Sequence, residues 1–414
     1  MKGKSIEVMA PAGSHASLQA AMDAGADAVY LGVEQFNMRQ GTANFKLRAL
    51  PKIVAECHAR GVKAYLTLNT LIFESELPAL KKVLDGVAAS GIDAVIAWDP
   101  SVMRLAHERG IPLFASTQCS IANTEAMLSY NQAFGIKRFV LARECPLVEI
   151  KRMQRTLRKL GKDDFEIEVF AHGAMCVSIS GRCYLSTFMD GQSANRGTCT
   201  QPCRREYQIT DDTRDKSLKV GPQYILSPQD LCTLPFLEKI LDAGVTSLKI
   251  EGRNRPPDYV YRVTRAYRRV VDAYQQRPKL TAEAFTAVKA GEMHQLENVY
   301  HRGLSSGFYH GVPLDQWATS KGNHSTSRKV LVGRVLNYYP KAGVAHMRVL
   351  NSGLHPGRPL MIQGPTTGHV ELTCPVLYLE KENINCAQIG QEITLAVPAK
   401  VRRNDQVYLE VQTS

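Results

Sequence analysis

From residue 1 to about 280 the chain repeats one pattern: a stretch of helical period, a glycine, then a short apolar run. Examples are DAGADAVYLGV at Gly25, ARGVKAYLTLN at Gly61 and ASGIDAVIAWD at Gly91. ERGIPLFASTQ at Gly110, AFGIKRFVLARE at Gly135 and DAGVTSLKIEG at Gly244 continue it. Each glycine stands where a helix ends and the chain must turn left-handed, a conformation cheap only for glycine. Runs apolar on both faces suit parallel strands covered by helices. The pattern predicts eight strands: Ile6–Pro11, Ala28–Val33, Lys63–Thr70, Ala94–Asp99, Leu113–Cys119, Arg138–Glu144, Ile167–His172 and Leu248–Arg253. Eight strands alternating with helices read as an α/β fold, a (β/α)8 TIM-like barrel, with an open doubly wound sheet as the alternative.

Two departures from the repeat define the rest. A long insertion, about Gly173 to Thr246, separates the seventh and eighth strands. After the eighth strand come a helix from about Pro257 to Gln276 and a helical extension through HRGLSSGFYHG, completing a barrel domain over 1–317. The polar stretch ATSKGNHSTSRK, 318–329, reads as a linker. Beyond it, 330–414 alternates in short runs such as VGRVLNYYP and GVAHMRVL, the pattern of a small antiparallel β-barrel domain.

Composition narrows the class. No apolar run approaches the length of a membrane span, and the N-terminus lacks a signal-peptide pattern, so a cytoplasmic protein with reduced cysteines is expected. A formal charge of +12 favours a polyanionic partner, nucleic acid first. Positive charge gathers in two sets, Lys151, Arg152, Arg155, Arg158 and Lys159, then Arg262, Arg265 and Arg269. Either set alone reads as a solvated helix face.

In a barrel, the carboxyl ends of the strands form the functional rim. Those ends carry Asn69, Asp99, Gln118, Arg143, Glu144, His172, Glu251 and Arg253. Polar groups ending otherwise apolar strands mark a ligand site, and the planar forks of Arg143 and Arg253 suit a carboxylate or phosphate. The insertion would hang over this rim. It carries Cys176, Cys183, Cys199 and Cys203 in the spacing C-x6-C-x15-C-x3-C, with Cys232 further on.

Four thiols so close together point to a metal or an iron–sulfur cluster. Closing the sixteen-residue loop between Cys183 and Cys199 costs roughly 2.5 kcal/mol. A four-thiolate site returns on the order of 10 kcal/mol. Paired C-x2-C knuckles are absent, so zinc is the second choice. Cys232 is a substitute ligand or a buried thiol. Cys374 and Cys386 have no close partners in sequence and read as packing residues.

The segments HGAMCVSISGRCYLS, RGTCTQPCR and SLKIEGR closely resemble the collagenase-like peptidase family, the thirty-second of the unassigned peptidase families. That family also contains bacterial tRNA and ribosomal RNA hydroxylation proteins, and the likeness covers the whole barrel. The C-terminal β-domain looks most like the tRNA hydroxylation branch, from which Cys232 departs. The resemblance implies formation of 5-hydroxyuridine at the tRNA wobble position, an iron–sulfur cluster of the 4Fe-4S type, and prephenate as co-substrate. It matches the four cysteines, as metal ligands, together with Gln118, Arg143, Glu144, His172, Glu251 and Arg253. Combined with the rim, the expected catalytic set is His172, Glu251, Arg253 and Gln118. The expected substrate-binding set is Asn69, Asp99, Arg143 and Glu144. The expected partners are tRNA and a small dicarboxylate, with no membrane. Two other functions compete, a peptidase and a non-catalytic RNA-binding scaffold, although no Ser-His-Asp, Cys-His or HExxH arrangement is evident.

Overall fold

The computed structural model describes residues 6–207, 209–211, 216–218, 224–314, 316–319 and 322–413. The first five residues, parts of the insertion and part of the expected linker lie outside the described residues. Eight parallel strands form the barrel: β1 (Glu7–Ala12), β2 (Ala28–Leu31), β3 (Lys63–Leu68), β4 (Ala94–Ala97), β5 (Leu113–Ala115), β6 (Arg138–Val140), β7 (Glu166–Gly173) and β8 (Ser247–Ile250). Each pairs with its neighbour, and β8 closes the cylinder by pairing with both β1 and β7. The open-sheet alternative is thereby excluded. The six glycines of the sequence repeat all sit at positive φ, between 66° and 90°.

Around the barrel run α1 (His15–Asp23), α2 (Leu50–His58), α3 (Leu77–Ala88), α4 (Pro100–His107), α5 (Thr124–Phe134) and α6 (Leu147–Lys159). The short α7 (Leu185–Asp190) lies in the insertion, followed by α8 (Leu237–Asp242), α9 (Pro257–Gln275) and α10 (Ala282–Glu297). One large core fills the space between helices and strands, with Val8, Val29, Leu66 and Val95 among its fully buried residues.

The inner face of the barrel corrects the expectation of strands apolar on both sides. Period-two alternation aims Met9, Tyr30, Tyr65, Ile96 and Phe114 inward, but also Glu7, Arg138, Glu168 and Lys249. Arg138 pairs with Glu7 at 2.5 Å and Glu166 at 2.6 Å, while Lys249 pairs with Glu168 at 2.9 Å. Tyr65 and Ser247 donate to the Glu7 carboxylate, and Arg138 stacks on the Phe114 ring. A closed cylinder can hold charges only if they are paired, and here each charge has an opposite partner, although Glu168 Oε2 accepts no hydrogen bond and lies 3.9 Å from Arg138.

Within the insertion, the strand Asp230–Cys232 adds antiparallel to the end of β7. Residues 327–412 form an eight-stranded antiparallel sheet with its own core, including Val332, Met347, Ile362 and Leu395. This region docks on α1 and α9. Arg262 of α9 grips Glu371 and Glu410, both at 2.6 Å, and Lys329 pairs with Asp258 at 2.6 Å. No helix among the described residues is long and apolar enough to cross a membrane.

Candidate active site

The carboxyl ends of the strands open into a cavity of about 580 Å³, roofed by the cysteine-bearing insertion. Of the rim residues expected from sequence, it is lined by Asn69, Gln118, Arg143, Glu251 and Arg253. Arg39, Arg204, Lys249, Arg255 and Arg302 join them. Seven cationic side chains thus share the lining with one carboxylate, Glu251, among the described residues, and behind the wall Lys249 is paired with Glu168 and Arg302 and Arg255 with Asp230. Lys249 was legible in principle, since it lies two positions before Glu251 and period two puts both on one face. Arg39 and Arg302 come from loops far away in the chain, with no sequence signal to place them.

Glu251 lies 3.3 Å from Arg39 and 3.9 Å from Arg143. Burial raises its pKa, but Arg39, Arg143 and Arg253 outweigh that and hold it below the usual carboxylate value. Arg253 donates to the Thr67 hydroxyl at 2.9 Å. Burial first, then the nearby Arg39, brings its pKa down to about 10, so it remains charged at neutral pH. Gly32 makes room for it, because a Cβ there would lie 2.4 Å from the Arg253 guanidinium.

Arg143 stacks 4.1 Å over the Phe170 ring and donates to the Ala174 carbonyl at 2.8 Å. Its Nε is buried with no hydrogen-bond partner among the described residues. A ligand acceptor would satisfy that donor. Asn69 and Gln118 hold each other, the Gln118 amide donating to the Asn69 carbonyl at 2.8 Å.

Three expected site residues are spent elsewhere. Asp99 caps α4, accepting from Ser101 N at 2.9 Å, and accepts from Ile72 N at 3.0 Å. Glu144 accepts from Ser180 N at 3.0 Å and anchors the insertion. His172 belongs by simple alternation to the inner face, with Glu168 and Phe170. A register shift between Lys249 and Ile250 skips Ala171 and sets His172 opposite Ile250. Its ring therefore packs outside the cavity, against Tyr259 and Tyr267.

Burial there, reinforced by His301 and Arg255, pushes the His172 pKa down to about 3. The native state keeps the ring neutral, whereas the unfolded chain protonates it below about 6.5. Its contribution is intact above pH 6.5 and is lost as pH falls toward 3, by up to about 1.4 kcal/mol per pH unit. Unfolding midpoints measured from pH 7 to pH 4 should fall accordingly, and His172→Gln should flatten that dependence.

Cys176, Cys199 and Cys203 line the cavity, and Cys183 sits behind them, accepting from Leu185 N at 3.3 Å. Burial raises the Cys203 pKa, with Arg204 opposing and Cys176, Cys199 and Cys183 all adding to it. The four thiols therefore share one neighbourhood, and no described cysteine forms a disulfide. Cationic groups adjoin them: Arg39 feels Cys176 and Cys199, and Arg204 feels Cys203 and Cys176. Soft donors beside fixed positive charge fit an anionic thiolate-bound cofactor. Among the described residues, no three His, Cys, Asp or Glu side chains close tightly enough to hold a single ion. Cys232 is buried beside Tyr267 and Met293, away from the cavity.

The model of peptidase family U32 matches residues 13–319. A Porphyromonas gingivalis protein named collagenase is 39% identical over 99% of this chain and 98% of its own length. The Bacillus subtilis tRNA hydroxylation protein P1 is 32% identical over 81% of this chain and 78% of its own. The Escherichia coli 23S rRNA 5-hydroxycytidine C2501 synthase is 35% identical over 73% of this chain and 45% of its own.

Proposed function

This chain belongs to peptidase family U32, and from that premise we propose that it hydroxylates a pyrimidine of RNA, converting C5–H of the tRNA wobble uridine to C5–OH, a two-electron oxidation in which an external oxygen-donating oxidant is reduced. The observation that carries this reading is the cavity wall: seven cations, one carboxylate and three thiols. Such a wall suits an anionic substrate or co-substrate beside a redox-capable group. Relatives named for tRNA and rRNA hydroxylation support the choice of RNA.

In this reading Arg143 and Arg253 each grip a carboxylate of a small dicarboxylate, prephenate by family resemblance, through paired N–H donors. Arg39 keeps Glu251 ionised and oriented beside it. Asn69 and Gln118 present amide groups to the polar edge of the base. Cys176, Cys183, Cys199 and Cys203 would hold a 4Fe-4S cluster, which supplies one-electron or Lewis-acid chemistry when bound.

The test joins anaerobic purification with iron and sulfide analysis to mass spectrometry of tRNA nucleosides from cells with and without the gene. Cys176→Ser with Cys203→Ser should remove bound iron and sulfide and abolish the 5-hydroxyuridine. A colourless wild-type protein, or a nucleoside profile indifferent to the gene, would falsify the proposal.

The end-to-end match to a protein named collagenase favours peptidase activity as a second reading. Against it, no histidine lines the cavity among the described residues, and Glu251 is committed to arginines. Cleavage of collagen peptides by protein shown to be free of co-purifying protease would reverse the ranking.

A further inference from the structure

The two basic sets look alike in sequence and have different fates. On α9, Arg262 is tied to Glu371 and Glu410, Arg265 lies 3.9 Å from Glu371, and Arg269 pairs with Glu292 at 2.6 Å. That face is the mortar between barrel and C-terminal sheet. On α6, Arg152 is the one cation paired among the described residues, with Glu149 in the same helix. Lys151, Arg155, Arg158 and Lys159 are exposed and have no carboxylate within 4.0 Å among the described residues. Arg158 and Lys159 also suit the negative end of the helix, but Lys151 and Arg155 stand too early for that. Like charges at i, i+4 repel, as in Lys151 with Arg155 and Arg155 with Lys159. Among the described residues no carboxylate pairs with these four side chains to relieve that repulsion.

The position of α6 gives this charge a direction. It begins four residues after Arg143, which lines the cavity, and Glu144 between them anchors Ser180 of the insertion. The outer surface of that insertion presents Tyr184 and Phe188, 66% and 86% exposed, with ring centroids 6.2 Å apart. Tyr184 follows Ser180 by four residues, so the bare aromatic rings belong to the segment that Glu144 anchors beside the start of α6, and the α6 cations run about 12 Å down the flank of the barrel. Cations following a backbone, with aromatic faces for unstacked bases, are the means by which proteins hold single-stranded nucleic acid.

Resting on the RNA reading above, we propose that the α6 face carries the phosphate backbone of the RNA substrate and that Tyr184 and Phe188 stack bases flanking the target. Extruding a base into a cavity requires its neighbours to be held outside, and the insertion that bears both rings also roofs the cavity through Cys176, Gly181 and Cys199.

The test is the affinity of the cluster-loaded protein for an unmodified tRNA transcript, measured across a salt series. Replacing Lys151, Arg155, Arg158 and Lys159 together by alanine should weaken binding at least tenfold at 0.1 M salt. It should also reduce the slope of log K against log salt by about 3. Alanine favours a helix, so folding is preserved. Tyr184→Ala with Phe188→Ala should weaken binding and leave the slope unchanged. Lys52→Ala, Lys81→Ala and Lys82→Ala, exposed cations on α2 and α3, should change neither. Unchanged affinity and slope in the α6 variant, with wild type binding and hydroxylating tRNA, overturn this inference alone. A wild type that neither binds nor hydroxylates tRNA removes the RNA reading and this inference with it. Loss of binding to anionic lipid vesicles without loss of RNA binding would assign the face to a membrane and also overturn it.

Discussion

Arg138→Ala should destabilise the barrel by about 3–5 kcal/mol, the usual consequence of removing one partner from a buried ion pair. Its guanidinium bridges Glu7, on β1, and Glu166, on β7, inside the closed cylinder. With the arginine gone, Glu7 retains only Tyr65 and Ser247 as side-chain hydrogen-bond donors among the described residues and is largely buried from water. Lys249 still neutralises Glu168, which sets the loss below that of stripping both carboxylates. Urea unfolding followed by circular dichroism reads this as a lowered midpoint. Arg138→Met with Glu7→Gln should recover much of the loss, because the unpaired charge disappears together with its partner. A single-variant loss under about 1 kcal/mol would show the cluster to be hydrated, against the burial argument.

Arg143→Met and Arg253→Met should each reduce formation of the hydroxylated nucleoside by about 30-fold or more. Truncating one partner of a buried, charge-assisted contact costs about 2–5 kcal/mol, and about 1.4 kcal/mol is a factor of ten. Methionine keeps most of the apolar stem, so Phe170 and Thr67 keep their packing while the charge is lost. If these residues hold the dicarboxylate, the defect appears as a raised KM for that co-substrate, with the KM for tRNA little changed. A fall in kcat with both KM values constant would transfer the arginines to the chemical step. Wild-type yield in both variants would sink the assignment.

How far the site was readable depended on what alternation could carry. Glu251 and Arg253 stand two apart at the end of β8, so their shared face follows from the strand period, and both reach the cavity. Gln118 and Arg143, just past β5 and β6, arrive there as strand ends should. His172 was misplaced because one skipped residue in β7 reverses every later side chain, and nothing in EVFAHG announces a bulge. Asp99 and Glu144 are rim residues in position, yet backbone amides of α4 and of the insertion claim their carboxylates first.

By itself, the sequence determined the period of the chain: where helices stop at glycine, where eight apolar runs fall, and which segment holds four clustered cysteines. These are local properties, set by backbone conformation and side-chain spacing within a few residues. Only the tertiary structure decided which charges were left over. Arg262 and Arg269 found acids more than twenty residues away, Lys249 found Glu168 across the barrel, and Lys151, Arg155, Arg158 and Lys159 of α6 found none among the described residues. Charge pairing is governed by distance in space, which a linear pattern does not contain until the cylinder has closed.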